Sequence, residues 1–192
     1  ETTGLSPRQG DRAIEIGAVL IEQGVVTDRF QQLMNPGFRI NSFIEGFTGI
    51  TNKMLQQAPP CDEVMDQFTD FIGDHNLVAH NASFDRSFLD AELSRINRQY
   101  NGSFACTLLL ARRLYQSAPN HKLGTLVKFK NIAHDGVFHR ALADSEMTTK
   151  LWLMMLQDIS TEYRLPQLSF TQLLKLARTP KAAVPQFLAS CQ

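Results

Sequence analysis

The stretch His139-Arg140-Ala141-Leu142-Ala143-Asp144 heads the longest apolar-periodic segment of the chain, and that segment limits the folds open to it. Asp144, Thr148, Leu151 and Met155 follow i, i+4, i+7 and i+11 spacing, so they share one face of a helix predicted over residues 141–159. Leu151 and Met155 make that face the buried one. Asp144 therefore ends a core-facing stripe, where an unpaired carboxylate is costly. A hydrogen-bonded cap, an Arg or Lys, or a metal would each answer that need. Taken alone, the hexapeptide is explained by a first-turn Asp that favours the helix dipole.

The remaining periodicities alternate between strands and helices. Residues 13–21 predict a strand, with Ile14, Ile16, Ala18 and Leu20 against Glu15, Gly17 and Val19. Gln23-Gly24 makes a hairpin into a return strand over 25–34, closed by Asn35-Pro36-Gly37. A short helix over 42–47 follows, then a break at Thr48-Gly49-Ile50-Thr51, with Thr51 capping the next turn. An amphipathic helix is expected over 62–72, a short buried strand at Leu77-Val78-Ala79, and a helix over 84–98. Phe104-Ala105-Cys106 reads as another strand, and 107–115 and 123–131 as helices. This order predicts an α/β layer fold with a mixed sheet. Beyond Ile159, at Leu165-Pro166, the pattern breaks. Residues 160–192 are expected to form a C-terminal helical appendage of unknown role to a domain over 1–159.

With 19 Lys+Arg against 19 Asp+Glu, no global basic field marks a coat-like binder of long nucleic acid. An enzyme that grips a few nucleotides needs no such field. Three widely spaced cysteines fit neither a disulfide framework nor a zinc pattern, so a reducing, cytoplasmic setting is expected.

Three polar clusters interrupt the apolar scaffold: Glu1-Thr2-Thr3-Gly4-Leu5, His80-Asn81-Ala82-Ser83-Phe84-Asp85, and His139 to Asp144. Asp85 is in phase with Leu89 and Ile96, at the core-facing end of its helix. Carboxylates aimed at one sheet edge can share Mg²⁺ or Mn²⁺. Two such ions activate a water and stabilise the leaving oxygen of a phosphodiester. A His beside that water suits a general base.

In this order and spacing, the clusters resemble the DEDD 3′→5′ exonucleases of the DnaQ-like type, in the subgroup with a His-x4-Asp third motif. That family includes the proofreading (epsilon) subunit of bacterial DNA polymerase III and ribonuclease T. Ile14-Glu15-Ile16-Gly17-Ala18-Val19, Asn35-Pro36-Gly37 and Phe47-Thr48-Gly49-Ile50-Thr51 add to the resemblance, which runs from Glu1 to about Ile159. It implies a ribonuclease H-like fold with a mixed five-stranded sheet. It also implies two divalent ions on Glu1, Asp85 and Asp144, with His139 as the base. Thr2 and Thr3 would offer backbone N–H groups to the 3′ terminus, and Leu5 would wedge against terminal bases. Phe47 and Thr48 would line the last-nucleotide pocket, and Asn81 and Phe84 would support the site. The expected substrate is the 3′ end of single-stranded DNA. RNA is the near alternative, and a non-catalytic module binding a polymerase or a nucleic-acid end the distant one. A DNA polymerase subunit is a candidate partner.

The family's first motif is Asp-x-Glu, and this sequence starts at the Glu. The expectation is that about ten further apolar residues precede it and end in that Asp, forming the first strand. Other polar residues carry structural readings. His80 is a strand-end histidine with a structural hydrogen bond. His134 and His139 lack a Cys or further His to complete a zinc set. Glu15 points away from its strand's apolar face, and Glu92 needs only solvent or an Arg. Gln167-Leu168-Ser169-Phe170 is one apolar residue short of a sliding-clamp-binding peptide, and Ser169 with Gln172 is a capping box.

Overall fold

The computed structural model describes residues 1–133, 140–165 and 167–191. Two compact units interleave along the chain. The first holds Glu1–His75, Ser83–Gly102 and, of Gly136–Glu146, the described residues from Arg140. The second holds Asn76–Ala82 and the described parts of Ser103–Asp135 and Met147–Gln192.

The first unit is built on a hairpin. Strands β1 (Glu15–Glu22) and β2 (Val25–Leu33) pair antiparallel, Glu15 opposite Leu33 and Glu22 opposite Val25. Gln23 and Gly24 both take positive φ, 51° and 81°, as a turn matched to strand twist requires. At the open end of the hairpin, Glu1 to Thr3 run antiparallel to the approach to β1. Ile14 N–H donates to Glu1 O and Thr3 N–H to Arg12 O, each at 2.9 Å. Thr2 faces Ala13 as a bridge pair.

Helices α1 (Ser42–Thr48) and α2 (Asn52–Gln57) are capped by Asn41 and Thr51, whose side chains accept from Ile44 N–H and Met54 N–H. Between the hairpin and these helices sits a core of Ile14, Ile40, Ile50 and Leu55. Helix α3 (Cys61–Ile72) packs on β2 through Phe30, whose ring lies 5.2 Å from Phe68 and 5.5 Å from Phe71. Helix α4 (Ala82–Arg95) buries Phe88, Glu92 and Leu93.

Two buried glutamates tie this unit together in the same way. Glu92, 2% exposed, accepts from Arg12 Nε at 2.8 Å and Arg12 Nη2 at 2.8 Å, and from Ala13 N–H at 3.1 Å. That holds α4 to the segment beside Glu1–Thr3. Glu15, also 2% exposed, accepts from Arg140 Nη2 at 2.8 Å and Ala141 N–H at 3.0 Å. That holds the first turn of α7 (Ala141–Tyr163) to β1. Glu15 was expected to face away from the apolar side of its strand, and it does. The far face is covered too, because α7 starts there. Gly17 makes that approach possible: a Cβ on it would lie 2.1 Å from Leu142 N. Ser145 Oγ closes the joint by donating to Gly17 O at 2.6 Å.

In the second unit, β3 (Leu77–Ala79) and β4 (Phe104–Cys106) pair in parallel, Leu77 opposite Phe104. Helices α5 (Thr107–Leu114), α6 (Leu123–Phe129), α8 (Phe170–Arg178) and α9 (Val184–Ala189) belong here with the body of α7. Leu110, Leu126, Leu151, Met155, Leu176 and Leu188 are among its fully buried side chains. Helix α8 lies against α5 and β4, and Ser169 and Gln172 form the expected capping box. Helix α7 continues past Ile159 to Tyr163, with Thr161 Oγ1 donating to Gln157 O. The break expected at Leu165-Pro166 falls partly outside the described residues.

The α/β character read from the sequence is present. The single five-stranded sheet is not seen among the described residues, where four strands form two separate two-stranded ladders. Strands β3 and β4 are three residues each, too short for a wide sheet edge of their own. No helix among the described residues is long and apolar enough to cross a membrane.

The Glu15 clamp has a pH signature. Burial alone would raise the Glu15 carboxyl, but the hydrogen bonds from Arg140, Ala141 N–H and Gln31 outweigh it and hold it below the usual 4.5. A depressed carboxyl stabilises the fold above its unfolded value, and that contribution is lost as pH falls from 4.5 through the folded value. Arg140→Gln should lower stability at pH 7 by about 3 kcal/mol and flatten the acid limb of a urea-denaturation pH series. Gly17→Ala should cost about 3 kcal/mol, because the added methyl meets helix backbone. A denaturation midpoint equal to wild type would show that α7 does not sit on Gly17.

Candidate active site

Glu1 stands at the end of the short strand beside β1. Its main-chain nitrogen donates to Glu15 O at 2.8 Å, so the residue is fixed by backbone pairing rather than by its side chain. The following loop is tied down by Asp11, which accepts from Ser6 N–H at 2.9 Å and Thr3 Oγ1 at 3.4 Å. A Cβ on Gly4 would meet Asp11 Oδ1 at 2.4 Å, so a side chain there would displace the carboxylate that accepts from Ser6 N–H. Leu5 is left projecting, 84% exposed. Thr3 N–H is taken up by Arg12 O, so of the two expected terminus-binding amides Thr3's is already engaged.

Asp85 lies in the first turn of α4. The stripe expected to bury it does not go under: Leu89 and Ile96 are half-buried and Asp85 is exposed, while α4 sends Phe88, Glu92 and Leu93 into the core. The protein around it still withdraws the carboxyl from bulk water, and this pushes its pKa up to about 6. A hydrogen bond from its own backbone pulls it part of the way back. Asp144 lies in the first turn of α7, half-buried, its N–H donating to Arg140 O at 3.0 Å. Hydrogen bonds to Glu15 raise the Arg140 guanidinium, and the Glu1 carboxylate adds to that rise. Glu1 thus lies within electrostatic reach of Arg140.

All three carboxylates belong to the first unit. Their donor set is all oxygen, which suits hard divalent cations. Among the described residues, however, no group of three or more His, Cys, Asp and Glu side chains is close enough to hold a metal ion. His139 and His134 lie outside the described residues.

The supporting residues divide clearly. Thr48 is buried and used internally: Oγ1 donates to Ile44 O at 2.8 Å and accepts from Ile50 N–H at 3.1 Å. Phe47 is 52% exposed and stacks on Phe43, which is 73% exposed, with ring centroids 6.1 Å apart. Phe84 packs on Phe88 at 5.0 Å. In the second unit, Asn81 takes a left-handed φ of 70° where β3 turns toward α4. His80 engages both ring nitrogens, Nδ1 with Thr107 Oγ1 and Nε2 with His121 O, each at 2.9 Å. Nε2 must donate to the carbonyl, and burial holds the ring below the usual histidine range, so this histidine is structural. The sequence reading passed over Arg140 and Gly17 as parts of the site's frame. The signal was an Arg inside the third cluster and a Gly in the middle of a strand, where glycine marks close backbone approach.

Comparison with known proteins covers most of the chain. The family model described as Exonuclease (RNase_T) matches residues 1–152. The PolC-type DNA polymerase III of Bacillus cereus is 41% identical over 160 residues, which is 83% of this chain and 11% of that protein. The 3′-5′ exonuclease DinG of Bacillus subtilis is 35% identical over 179 residues, 93% of this chain and 19% of that protein. The chain thus spans a small part of the length of these curated relatives. Among solved structures, Exonuclease X in complex with 5′ overhanging duplex DNA aligns with a TM-score of 0.66 at 28% identity, covering 82% of this chain and 87% of that one. The nuclease domain of 3′hExo, a DEDDh family member, aligns with a TM-score of 0.70 at 22% identity, covering 82% of this chain and 88% of that one, a likeness of fold. The family depends in general on divalent metal ions. With its helix-flanked α/β architecture and a match that takes in all three acidic clusters, this chain belongs to the RNase_T exonuclease family.

Proposed function

We propose that this chain is the catalytic domain of a 3′→5′ exonuclease that hydrolyses the last phosphodiester of single-stranded DNA and releases nucleoside 5′-monophosphates. The observation that carries the reading is the exonuclease match over residues 1–152, because it spans Glu1, Asp85, His139 and Asp144 together. Identity of 41% to a segment of a DNA polymerase favours DNA over RNA and a role in proofreading or repair beside a polymerase.

Glu1, Asp85 and Asp144 would hold two Mg²⁺ or Mn²⁺ ions. When bound, such ions supply water activation and stabilise the leaving 3′ oxygen. The withdrawal from water that raises Asp85 penalises its charged form, and a bound cation would offset that penalty, which fits a ligand role. His139 accepts the proton of the attacking water. Leu5, projecting into solvent, is available to wedge against the terminal base, and Phe47 offers it an open ring. Thr2 N–H and the Thr48 turn would border the terminal sugar. Asn81 and Phe84 would shape the approach to Asp85.

With Mg²⁺ present, His139→Ala should cut hydrolysis of a 5′-labelled single strand by about 10²- to 10⁴-fold. Matched DNA and RNA oligonucleotides decide the sugar preference. Mg²⁺ or Mn²⁺ should raise the Tm of the wild type but not of an Asp85→Asn, Asp144→Asn variant. A strand left intact by the wild type with either ion, and a Tm indifferent to both, would overturn the assignment.

A further inference from the structure

We propose that a cleft beside the nuclease site, between the β2–α1 loop and α2, holds the single strand upstream of its 3′ end. The proposal rests on the nuclease reading and extends it. The cleft has a volume of about 410 Å³ and is lined by Asn35, Phe38, Arg39, Asn52, Lys53 and Leu55 among others, with no acidic residue in its wall. It opens near the end of the hairpin at which Glu15 faces Leu33, the same end at which Glu1 pairs with Ile14.

Its polar walls fall into two groups. Asn35 and Asn52 are consumed in building it: Asn35 Oδ1 accepts from Gly37 N–H, and Asn52 accepts from Ile40 N–H and donates to Ile40 O, all at 2.9 Å. Arg39 and Lys53 are exposed, and among the described residues neither forms an ion pair. Phe38 adds a half-exposed ring to the same wall. Two uncommitted cations around an open aromatic face, in a chain of zero net charge, are complementary to a base flanked by phosphates. Helix α1, which starts three residues after Arg39, carries the exposed Phe43–Phe47 stack and leads on to Thr48. Aromatic rings thus recur from the cleft to the expected terminal pocket, giving successive bases a surface to stack on.

The test separates upstream binding from catalysis. Arg39→Ala with Lys53→Ala, and Phe38→Ala separately, are compared with wild type on a dinucleotide and on a twelve-nucleotide DNA strand with Mg²⁺. Binding of the twelve-mer is also read by fluorescence anisotropy in EDTA. Dinucleotide turnover should be unchanged. The twelve-mer should bind at least about fivefold more weakly to Phe38→Ala. The double variant should lower the slope of log K against log salt by about 1.4 for two phosphates of a single strand. Unchanged twelve-mer affinity and salt slope, or equal losses on dinucleotide and twelve-mer, would overturn the proposal. Were the wild type to cleave neither substrate, the nuclease reading would fall, while the EDTA titrations would still decide whether the cleft binds a strand.

Discussion

Everything near the candidate site depends on two carboxylates that do no chemistry. Glu92 and Glu15 each sit almost wholly out of water, and each accepts from an arginine and from the N–H of the alanine that follows it, Arg12-Ala13 in one case and Arg140-Ala141 in the other. A buried carboxylate left without such partners would cost several kcal/mol. Each pair is therefore a strict geometric condition: the helix carrying Asp85 and the helix carrying Asp144 can stay folded only where these arginines reach. Both helices are thereby fixed to the short antiparallel segment that carries Glu1.

The clamps take on the anchoring of the two helices that carry Asp85 and Asp144. Asp85 is exposed and still raised to about 6, and Asp144 is half-buried at the head of its helix. The ion pairs that anchor these helices lie elsewhere, at Glu92 two turns beyond Asp85 and at Arg140 one turn before Asp144. Separating the two duties lets a carboxylate at the candidate site keep unfavourable electrostatics that a structural group could not. The same division holds among the residues proposed to meet a nucleic-acid strand. Thr48, Asn35 and Asn52 spend their hydrogen bonds on loop geometry, and Leu5, Phe38, Phe43 and Phe47 are left projecting. Exposed rings and an exposed leucine cost the free protein solubility, and contact with bases would offset it.

Much of this was legible before any coordinates. The hairpin turn at Gln23-Gly24, the caps at Thr51 and Ser169, the strands at Leu77 and Phe104 and the stripe from Thr148 to Met155 all follow from local rules, and all are present. Their causes act within a few residues: a left-handed φ, a side chain reaching the third N–H, a period of 2 or 3.6. The three acidic clusters were visible for the same reason, since each is short and contiguous.

What the chain alone could not reveal is which polar residues are partners. Glu92 reads as a surface residue on a helix until Arg12, 80 positions away, is seen to grip it. Glu15 reads as the polar phase of a strand until α7 is found resting on Gly17 and covering that face. The extent of the sheet was likewise undecided, because pairing depends on which strands meet and not on how each one alternates. Local hydrogen bonding and periodicity thus determined the elements and the positions of the acidic clusters. Long-range burial decided the roles of the charged residues, since the cost of an uncompensated charge depends on what packs over it, and only the folded chain supplies that.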